Sequence, residues 1–177
     1  MAEQYGNINI YLNTLVSTLL EDDTLCKFLY YNTNCDVLSQ PNLTTEQKLS
    51  LLDSRIFVNK MIPVVQHDGN PLLMIRTTSI EYQDNKTTSI DKIRIAFYII
   101  CNIGVVETQN GARDVCISYA LDSLLLQSQD GELGIGKLKR WRIQDLADLG
   151  TEYQGYVNTY EVHDFNPIIN GKPNGYN

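Results

Sequence analysis

Apolar residues recur along the chain at two different spacings, and the spacing separates helices from strands. In residues 8–20 they follow the three-to-four-residue period of a helix that buries one stripe. In residues 92–106 they alternate instead, which predicts a long strand with one strongly buried face. The alternating positions are Ile93, Ile95, Phe97, Ile99, Cys101, Ile103 and Val105.

Capping residues mark the start of further helices. Asp22 or Asp23 directly precedes an apolar stretch and is placed to cap a second short helix rather than to bind a metal. Thr44 followed by Gln47 matches a capping box and predicts a brief helix through about Leu52. Residues 111–128 return to helical spacing and predict a long central helix.

The remaining apolar stretches predict strands separated by turns. Extended segments are expected at 55–63, 71–83, 137–143 and 152–165. We therefore predict an α+β fold in which N-terminal helices and one long central helix pack on a mostly antiparallel sheet. Residues 1–165 should form a single domain. Residues 166–177 are rich in Asn, Gly and Pro, and we expect them to be a flexible C-terminal arm.

Composition excludes several classes of protein. The 177 residues contain no run of about 18 apolar positions, and the N-terminus lacks the pattern of a secretory signal, so we expect a cytoplasmic protein without a membrane span. The formal charge of −7 argues against a sequence-reading nucleic-acid binder. The negative charge does not exclude contact with DNA that slides past the protein, because a negative surface repels phosphates and does not retain them.

Residues 131–138, GELGIGKL, match the spacing of a phosphate-binding loop, but their surroundings do not. That loop lies between a strand and a following helix, whose N-terminus binds the anion. Here the predicted order is helix before and strand after. The position that should hold a magnesium-binding Ser or Thr is Leu138. We interpret the segment as a turn and expect no nucleotide cofactor.

Cysteine and histidine give no clear catalytic or metal pattern. No two of the four cysteines have the spacing of a redox or zinc pair, so we expect free thiols. The two histidines, His67 and His163, are each followed by Asp, yet they supply too few ligands for a metal-dependent hydrolase. We therefore predict no catalytic residues, no metal site and no cofactor.

A basic segment around the single tryptophan is the strongest candidate for a surface contact. Trp with Arg is a combination enriched at protein interfaces, and charge on an edge strand blocks unwanted sheet pairing. Regular alternation would place Lys137 and Lys139 opposite Arg140 and Arg142, which argues against one positive face for nucleic acid. The candidate subunit-interface residues are Lys137, Lys139, Arg140, Trp141 and Arg142.

Three parts of the chain resemble the tail-terminator and head–tail neck proteins of long-tailed bacteriophages. They are LLEDDTLCKFLYYN; DKIRIAFYIICNIG with the following GARDVCISYALDSLLLQ; and GIGKLKRW with the closing GYVNTYEVHDFN. The resemblance implies a ring, usually of six subunits, that caps the tail tube or joins the tail to the portal. It implies no enzyme activity, and its partners would be other copies of the chain, tail-tube, sheath or head-connector proteins, and passing viral DNA.

Two polar segments gain a role under this resemblance. The loop at 83–91 could project toward the tube or channel, and the arm at 166–177 could order against a neighbouring subunit. The candidate loop residues are Gln83, Asp84, Asn85, Lys86 and Asp91, and the candidate arm residues are Pro167, Ile168, Ile169 and Tyr176. The expected location is the neck or tail of a virion, assembled in the bacterial cytoplasm.

Two other functions compete with the ring. One is a non-viral binding module of the same fold class, which would remain monomeric or dimeric. The other is a nucleotide-binding enzyme that uses 131–137, which ligand-induced stabilisation by ATP or GTP with Mg²⁺ would detect.

Overall fold

The computed structural model describes residues 2–59, 69–82, 90–127, 138–146, 150–163, 168–169 and 172–173. The helices in these ranges are α1 (Ala2–Glu21), α2 (Asp23–Tyr30), α3 (Thr45–Ser50), α4 (Ile103–Val106) and α5 (Arg113–Gln127). The strands are β1 (Ile56–Val58), β2 (Leu72–Tyr82), β3 (Ile90–Asn102), β4 (Glu107–Thr108), β5 (Gly111–Ala112), β6 (Leu138–Asp145), β7 (Tyr153–His163), β8 (Ile168–Ile169) and β9 (Lys172–Pro173).

The main sheet has five strands in the order β1-β2-β3-β7-β6. Only β1 and β2 pair in parallel, and the other three pairings are antiparallel. Two small hairpins, β4–β5 and β8–β9, lie outside this sheet. The predicted α+β class, with helices on a mostly antiparallel sheet, is confirmed.

The N-terminal helices follow their predicted stripes and caps. Helix α1 buries Leu12, Leu15 and Leu19, which share one face. The Asp22 carboxylate accepts a hydrogen bond of 2.6 Å from the Leu25 backbone N–H and caps α2. Thr44 and Gln47 form the predicted reciprocal capping box at α3. These local signals fix where α2 and α3 start, because each satisfies a free N–H in a first turn.

Strand β3 is shorter at one end and longer at the other than predicted. Its alternating residues from Ile93 to Cys101 are fully buried, as expected. The expectation that alternation continues to Val105 is wrong, because the Asn102 side chain accepts a hydrogen bond of 2.8 Å from the Gly104 N–H and starts α4. Ile103 is consequently 54% exposed. At the other end β3 begins at Ile90, so Asp91 lies in the strand and its assignment to the loop was also wrong.

Helix α5 begins at Arg113, two residues later than predicted. Gly111 and Ala112 pair with Thr108 and Glu107 in the β4–β5 hairpin. The helix then packs against the sheet through Ile117, Leu121 and Leu125, which are buried. The hairpin fixes where the helix enters the core.

The Arg113 side chain is fully buried and contacts four backbone carbonyl groups. Its Nε donates to the Val105 carbonyl at 2.8 Å, and its guanidinium also donates to the carbonyls of Phe28, Tyr31 and Thr33. Phe28 lies in the last turn of α2, where helix carbonyls lack helical partners and a cation is favourable. Burial lowers the pKa of Arg113 from its usual value. One arginine thus joins α2, the segment after it, α4 and α5.

The helices cover one face of the sheet. The buried core combines the inner residues of β3, Tyr160 and Val162 of β7, and the apolar faces of α1, α2 and α5. The other face presents Arg94, Tyr98 and Ile100 of β3, because neighbouring strand residues point to opposite sides. We call this second face the open face; Arg94, Tyr98 and Ile100 are half-buried on it, whereas Phe57 and Leu72 of the same face are buried.

Candidate subunit interface

Strand β6 is the outermost strand at one end of the sheet. It pairs with β7 on one side, and no other strand of the described ranges pairs with its outer side. Every residue from Lys139 to Asp145 is exposed, whereas Leu138 is buried. An exposed edge with free backbone groups is a template for association with another chain.

A β-bulge at Trp141 changes which side chains share a face of β6. Arg140 is opposite Tyr160 and Arg142 is opposite Thr159, so Trp141 is the extra residue between them. Lys139 is opposite Glu161, two positions from Thr159, which places Lys139 and Arg142 on the same face. The expectation that regular alternation separates Lys139 from Arg142 was therefore wrong. Arg140 alone of these three bases is directed to the helix-covered side.

On the open face, Trp141 stacks on a chain of charged groups that crosses the sheet. The Arg94 guanidinium carbon lies 4.8 Å from the centre of the Trp141 ring, a cation–π contact. Arg94 also pairs with Glu161 at 2.9 Å and with Glu81 at 3.2 Å. These contacts link β2, β3, β7 and β6. They hold the indole in one orientation although the side chain is 52% exposed.

On the helix-covered side, β6 is joined to α5 through Asp122. Arg140 Nη1 lies 2.6 Å from one Asp122 oxygen, and the Tyr160 hydroxyl donates to the other at 2.6 Å. Burial, together with this hydrogen bond, raises the pKa of Tyr160. The neighbouring Asn158 amide donates to the Ser118 hydroxyl at 2.8 Å. The edge strand is thus tied to the core through these polar contacts, although the buried Asn158 Oδ1 accepts no hydrogen bond from the described residues.

A second set of exposed apolar residues lies next to β6 on the flank of α5. Val115, Tyr119 and Asp122 share one side of the helix, and the Asp122–Arg140 pair shows that this side faces β6. Tyr119 is 76% exposed, and Ile143, on the helix-covered side of β6, is 41% exposed. We call the surface formed by β6 with Val115 and Tyr119 the β6 end of the sheet.

Sequence reasoning located the basic residues of this surface and missed its apolar ones. Val115, Tyr119 and Ile143 were absent from the candidate interface. A signal did exist, because Val115 and Tyr119 are four positions apart and both fall outside the buried stripe of α5. Two apolar residues with that spacing indicate a second, exposed apolar side.

The other predicted site residues are placed only in part. The loop residues Gln83, Asp84, Asn85 and Lys86, the turn at 131–137 with Lys137, and the arm residues Pro167 and Tyr176 lie outside the described residues. Leu138 begins β6, so a strand follows residues 131–137 as expected. Ile168 and Ile169 form β8, which pairs with Lys172 and Pro173.

Metal ligands, reactive thiols and membrane helices are the other features of interest within the described ranges. None of their His, Cys, Asp and Glu side chains form a group of three or more that could hold a metal ion. Burial raises the pKa of Cys26 to about 11 and that of Cys101 to about 12, which disfavours the reactive thiolate. No helix in the described ranges is both long and apolar enough to cross a membrane. The β6 end is the candidate functional surface, because its exposed Trp141, Tyr119 and Ile143 are suited to a protein contact.

Comparison with known proteins identifies one family. The model of the YomW family matches residues 22–162, from the cap of α2 to the end of β7. The comparison with curated proteins gives no match. The family name is of the kind given to phage genes and refers to the Bacillus phage SPbeta region, which indicates a phage-associated protein. Since the match covers most of the 177 residues, the chain belongs to the YomW family.

Proposed function

We propose that the protein is a structural component of a phage particle that forms a ring at the neck. The ring, with six subunits expected, terminates the tail tube or joins the tail to the head connector and leaves a channel for DNA. Its partners are other copies of the chain and the tail-tube, sheath or connector proteins. The role needs no catalytic step and no cofactor.

The observation that carries the proposal is the β6 end. Tyr119 is 76% exposed and lies next to the open edge strand that carries Trp141 and Ile143. Exposed aromatic and apolar residues grouped in this way are typical of a surface that a partner covers. Membership in a phage-associated family supports a virion role. The net charge of −7 supports passage of DNA, because a negative channel wall does not retain phosphates.

The first test measures mass and shape in solution. Light scattering across concentration should show a species near six times 20.1 kDa, and negative-stain microscopy should show closed rings. Replacing Tyr119 and Trp141 together by Ala should abolish the rings. The matched control is Ile10→Ala, an exposed apolar residue on α1, which should leave them intact.

The second test locates the protein in the particle. Immunogold labelling of virions of the phage that encodes it should place the label at the head–tail junction. Absence of the protein from purified virions would refute the structural role. Deletion of 167–177 tests the proposed arm, and it should leave the melting temperature unchanged while it impairs assembly.

A further inference from the structure

The open face brings together basic side chains from three strands. In the register of the sheet, Arg76 is opposite Ala96, which is opposite Thr159. Thr159 in turn is opposite Arg142, so the four residues form one row across β2, β3, β7 and β6. The two middle residues are small and buried, whereas Arg76 and Arg142 are exposed. With strands about 4.8 Å apart, the row presents two guanidinium-bearing residues whose Cα atoms are separated by roughly 14 Å.

The acidic side chains of this face are already paired. Glu81 lies 3.2 Å from Arg94 and 3.5 Å from Lys92. Glu161 lies 2.9 Å from Arg94, and its side chain is only 12% exposed. These two acids are thus matched by two bases, and the remaining charge of the face belongs to other residues.

The charge of the open face is positive although that of the chain is negative. The bulge at Trp141 places the exposed Lys139 on the same face as Arg142. Asp145 is opposite the core residue Tyr156 and so belongs to the helix-covered side. Among the side chains that the structure describes on the open face of β2, β3, β6 and β7, two are acidic and five are basic, a net charge of +3 in a chain of −7. The basic residues are Arg76, Lys92, Arg94, Lys139 and Arg142.

An exposed aromatic ring lies among these charges. The Trp141 indole stacks on the Arg94 guanidinium, and its side chain is 52% exposed. Proteins that bind single-stranded nucleic acid combine positive charge along the path of the backbone with aromatic rings on which bases stack. An acidic polypeptide is attracted by the same charges but has no base to stack, and the bases of a duplex already stack on one another. The open face therefore fits an unpaired strand better than either.

The negative charge of the whole chain does not prevent this contact. At about 0.15 M salt, exposed charges that are more than roughly 8 Å apart are largely screened from each other. A phosphate at the open face therefore responds to the basic side chains next to it rather than to acids elsewhere on the protein.

We propose that the open face binds single-stranded nucleic acid. The exposed side chains of Arg76, Lys139 and Arg142 contact phosphates of the strand, and an unpaired base stacks on Trp141. The recognised groups are the phosphodiester backbone and the nucleobase, which single-stranded DNA and RNA share. One subunit carries the whole surface, so the contact goes beyond the neck ring and does not depend on it.

Titration of the wild-type protein with a thymidine oligonucleotide of about 20 nucleotides tests the proposal. The chain has one tryptophan, so quenching of its fluorescence reports contact at this surface. Anisotropy of the labelled oligonucleotide gives the affinity, and we expect a Kd of about 10⁻⁴–10⁻⁶ M, the range of non-specific binding. With about three phosphate contacts on a single strand, the logarithm of the binding constant should fall with the logarithm of salt concentration at a slope of about −2.

Two variants separate the phosphate contacts from the stacking. Arg76→Gln with Arg142→Gln should weaken binding about tenfold at low salt and reduce the slope to about −0.7, because one phosphate contact remains. Trp141→Leu should weaken binding at least about fivefold and leave the slope unchanged, because stacking releases no counterions. The matched control is Lys48→Gln, which also removes a positive charge. Lys48 pairs with Asp23 of α2 on the helix-covered side, so the affinity and the slope should stay at the wild-type values. Circular dichroism should be unchanged in the open-face variants, since all three positions are exposed.

Other results would overturn the proposal. Absence of binding at about 50 mM salt, or equal affinity of the double Gln variant and the wild type, would show that the open face does not hold phosphates. A duplex bound as tightly as the single strand, or full affinity of Trp141→Leu, would exclude stacking. Poly-glutamate bound as tightly as the oligonucleotide would indicate an acidic protein partner instead. Rings that form without nucleic-acid binding would reject this inference alone, and binding by a protein that forms no rings would reject the neck ring alone.

Discussion

The helix-covered face and the open face of the sheet use the same types of side chain in different ways. On the covered side, Arg113 is fully buried and donates to four carbonyl groups that the fold fixes in place. On the open face, Arg94 pairs with two carboxylates and stacks on an exposed indole. The first arginine holds elements of one chain together. The second positions Trp141, a residue available to another chain.

This difference has an energetic meaning. Loss of a buried donor leaves its acceptors without water or protein partners, which costs about 1–3 kcal/mol for each group. Loss of one partner in an exposed ion pair costs about 0–1 kcal/mol, because water replaces it. Substitutions on the covered side should therefore change the free energy of unfolding, and those at the β6 end should change assembly.

The largest effect is expected for Arg113→Met. The substitution keeps most of the side-chain volume and removes the donor from four carbonyls. Only the Phe28 contact is buried, and the other three are part-buried, where water can replace the donor, so the free energy of unfolding should fall by about 3 kcal/mol. The matched change on the open face, Arg94→Met, removes the partner of Glu161, whose side chain is 12% exposed, and should lower it by about 1–2 kcal/mol. Urea unfolding of both variants measures the difference. Equal losses would contradict the contrast between the faces.

Gly155→Ala should be an exception to the contrast between the two faces. Gly155 lies on the open face, yet its substitution should lower the free energy of unfolding strongly. A Cβ at Gly155 would lie 1.8 Å from the Ile99 carbonyl oxygen, so strands β3 and β7 would have to separate. We expect a loss of about 2–3 kcal/mol. The control is Gly150→Ala, where no atom lies within 4 Å and only the positive φ of 80° opposes a side chain, at about 1 kcal/mol. Thermal unfolding of both variants tests the order.

Tyr160→Phe removes one hydroxyl from the covered side. Its hydrogen bond to Asp122 is lost, while the ion pair of Asp122 with Arg140 remains, so the expected cost is about 1 kcal/mol. Tyr98→Phe on the open face is the control and should change stability by less than about 0.5 kcal/mol. Chemical denaturation measures both. A larger loss for Tyr98→Phe would refute the assignment of the polar network to the core.

The last prediction concerns the pH dependence of stability, which changes only at alkaline pH. Burial raises the pKa of the Cys101 thiol to about 12 in the folded chain, whereas an exposed thiol has a pKa near 9. The stabilisation is therefore complete below pH 9 and is lost as the pH rises toward 12. Cys101→Ala should flatten this decline by up to about 1.4 kcal/mol per pH unit. Cys26→Ala should do so over a narrower window, since the pKa of Cys26 is about 11. Urea titrations at several alkaline pH values measure the slopes.

The sequence predicted those features that short stretches determine by themselves. Asp22 and the Thr44–Gln47 pair cap their helices because the groups involved lie within three residues of one another. The alternation from Ile93 to Cys101 likewise defines the buried face of β3 without reference to other strands. Such local signals were sufficient for the fold class.

The features that were missed depend on partners distant in sequence or on competition between local signals. The bulge at Trp141 exists only through pairing with β7, so alternation within 137–143 does not contain it. Ile103 and Val105 continue the apolar alternation of β3, yet the Asn102 cap ends the strand before them. Arg113 is a basic residue at the start of a predicted helix, and that position gives no reason to expect a buried side chain. The apolar residues of the β6 end form one surface only because α5 and β6 lie side by side, an arrangement that the sequence pattern does not contain.

The Arg113 contacts also have a consequence for the order in which the chain matures. The carbonyl groups of Phe28, Tyr31 and Thr33 precede Arg113 by 80 to 85 residues. At roughly 5–20 residues per second, they are synthesised about 4 to 17 s before their donor. Throughout that interval, water is the partner of the carbonyls that Arg113 later binds. Helix α2 is thus synthesised before α5, and its Phe28 carbonyl gains the hydrogen bond from Arg113 only when α5 arrives.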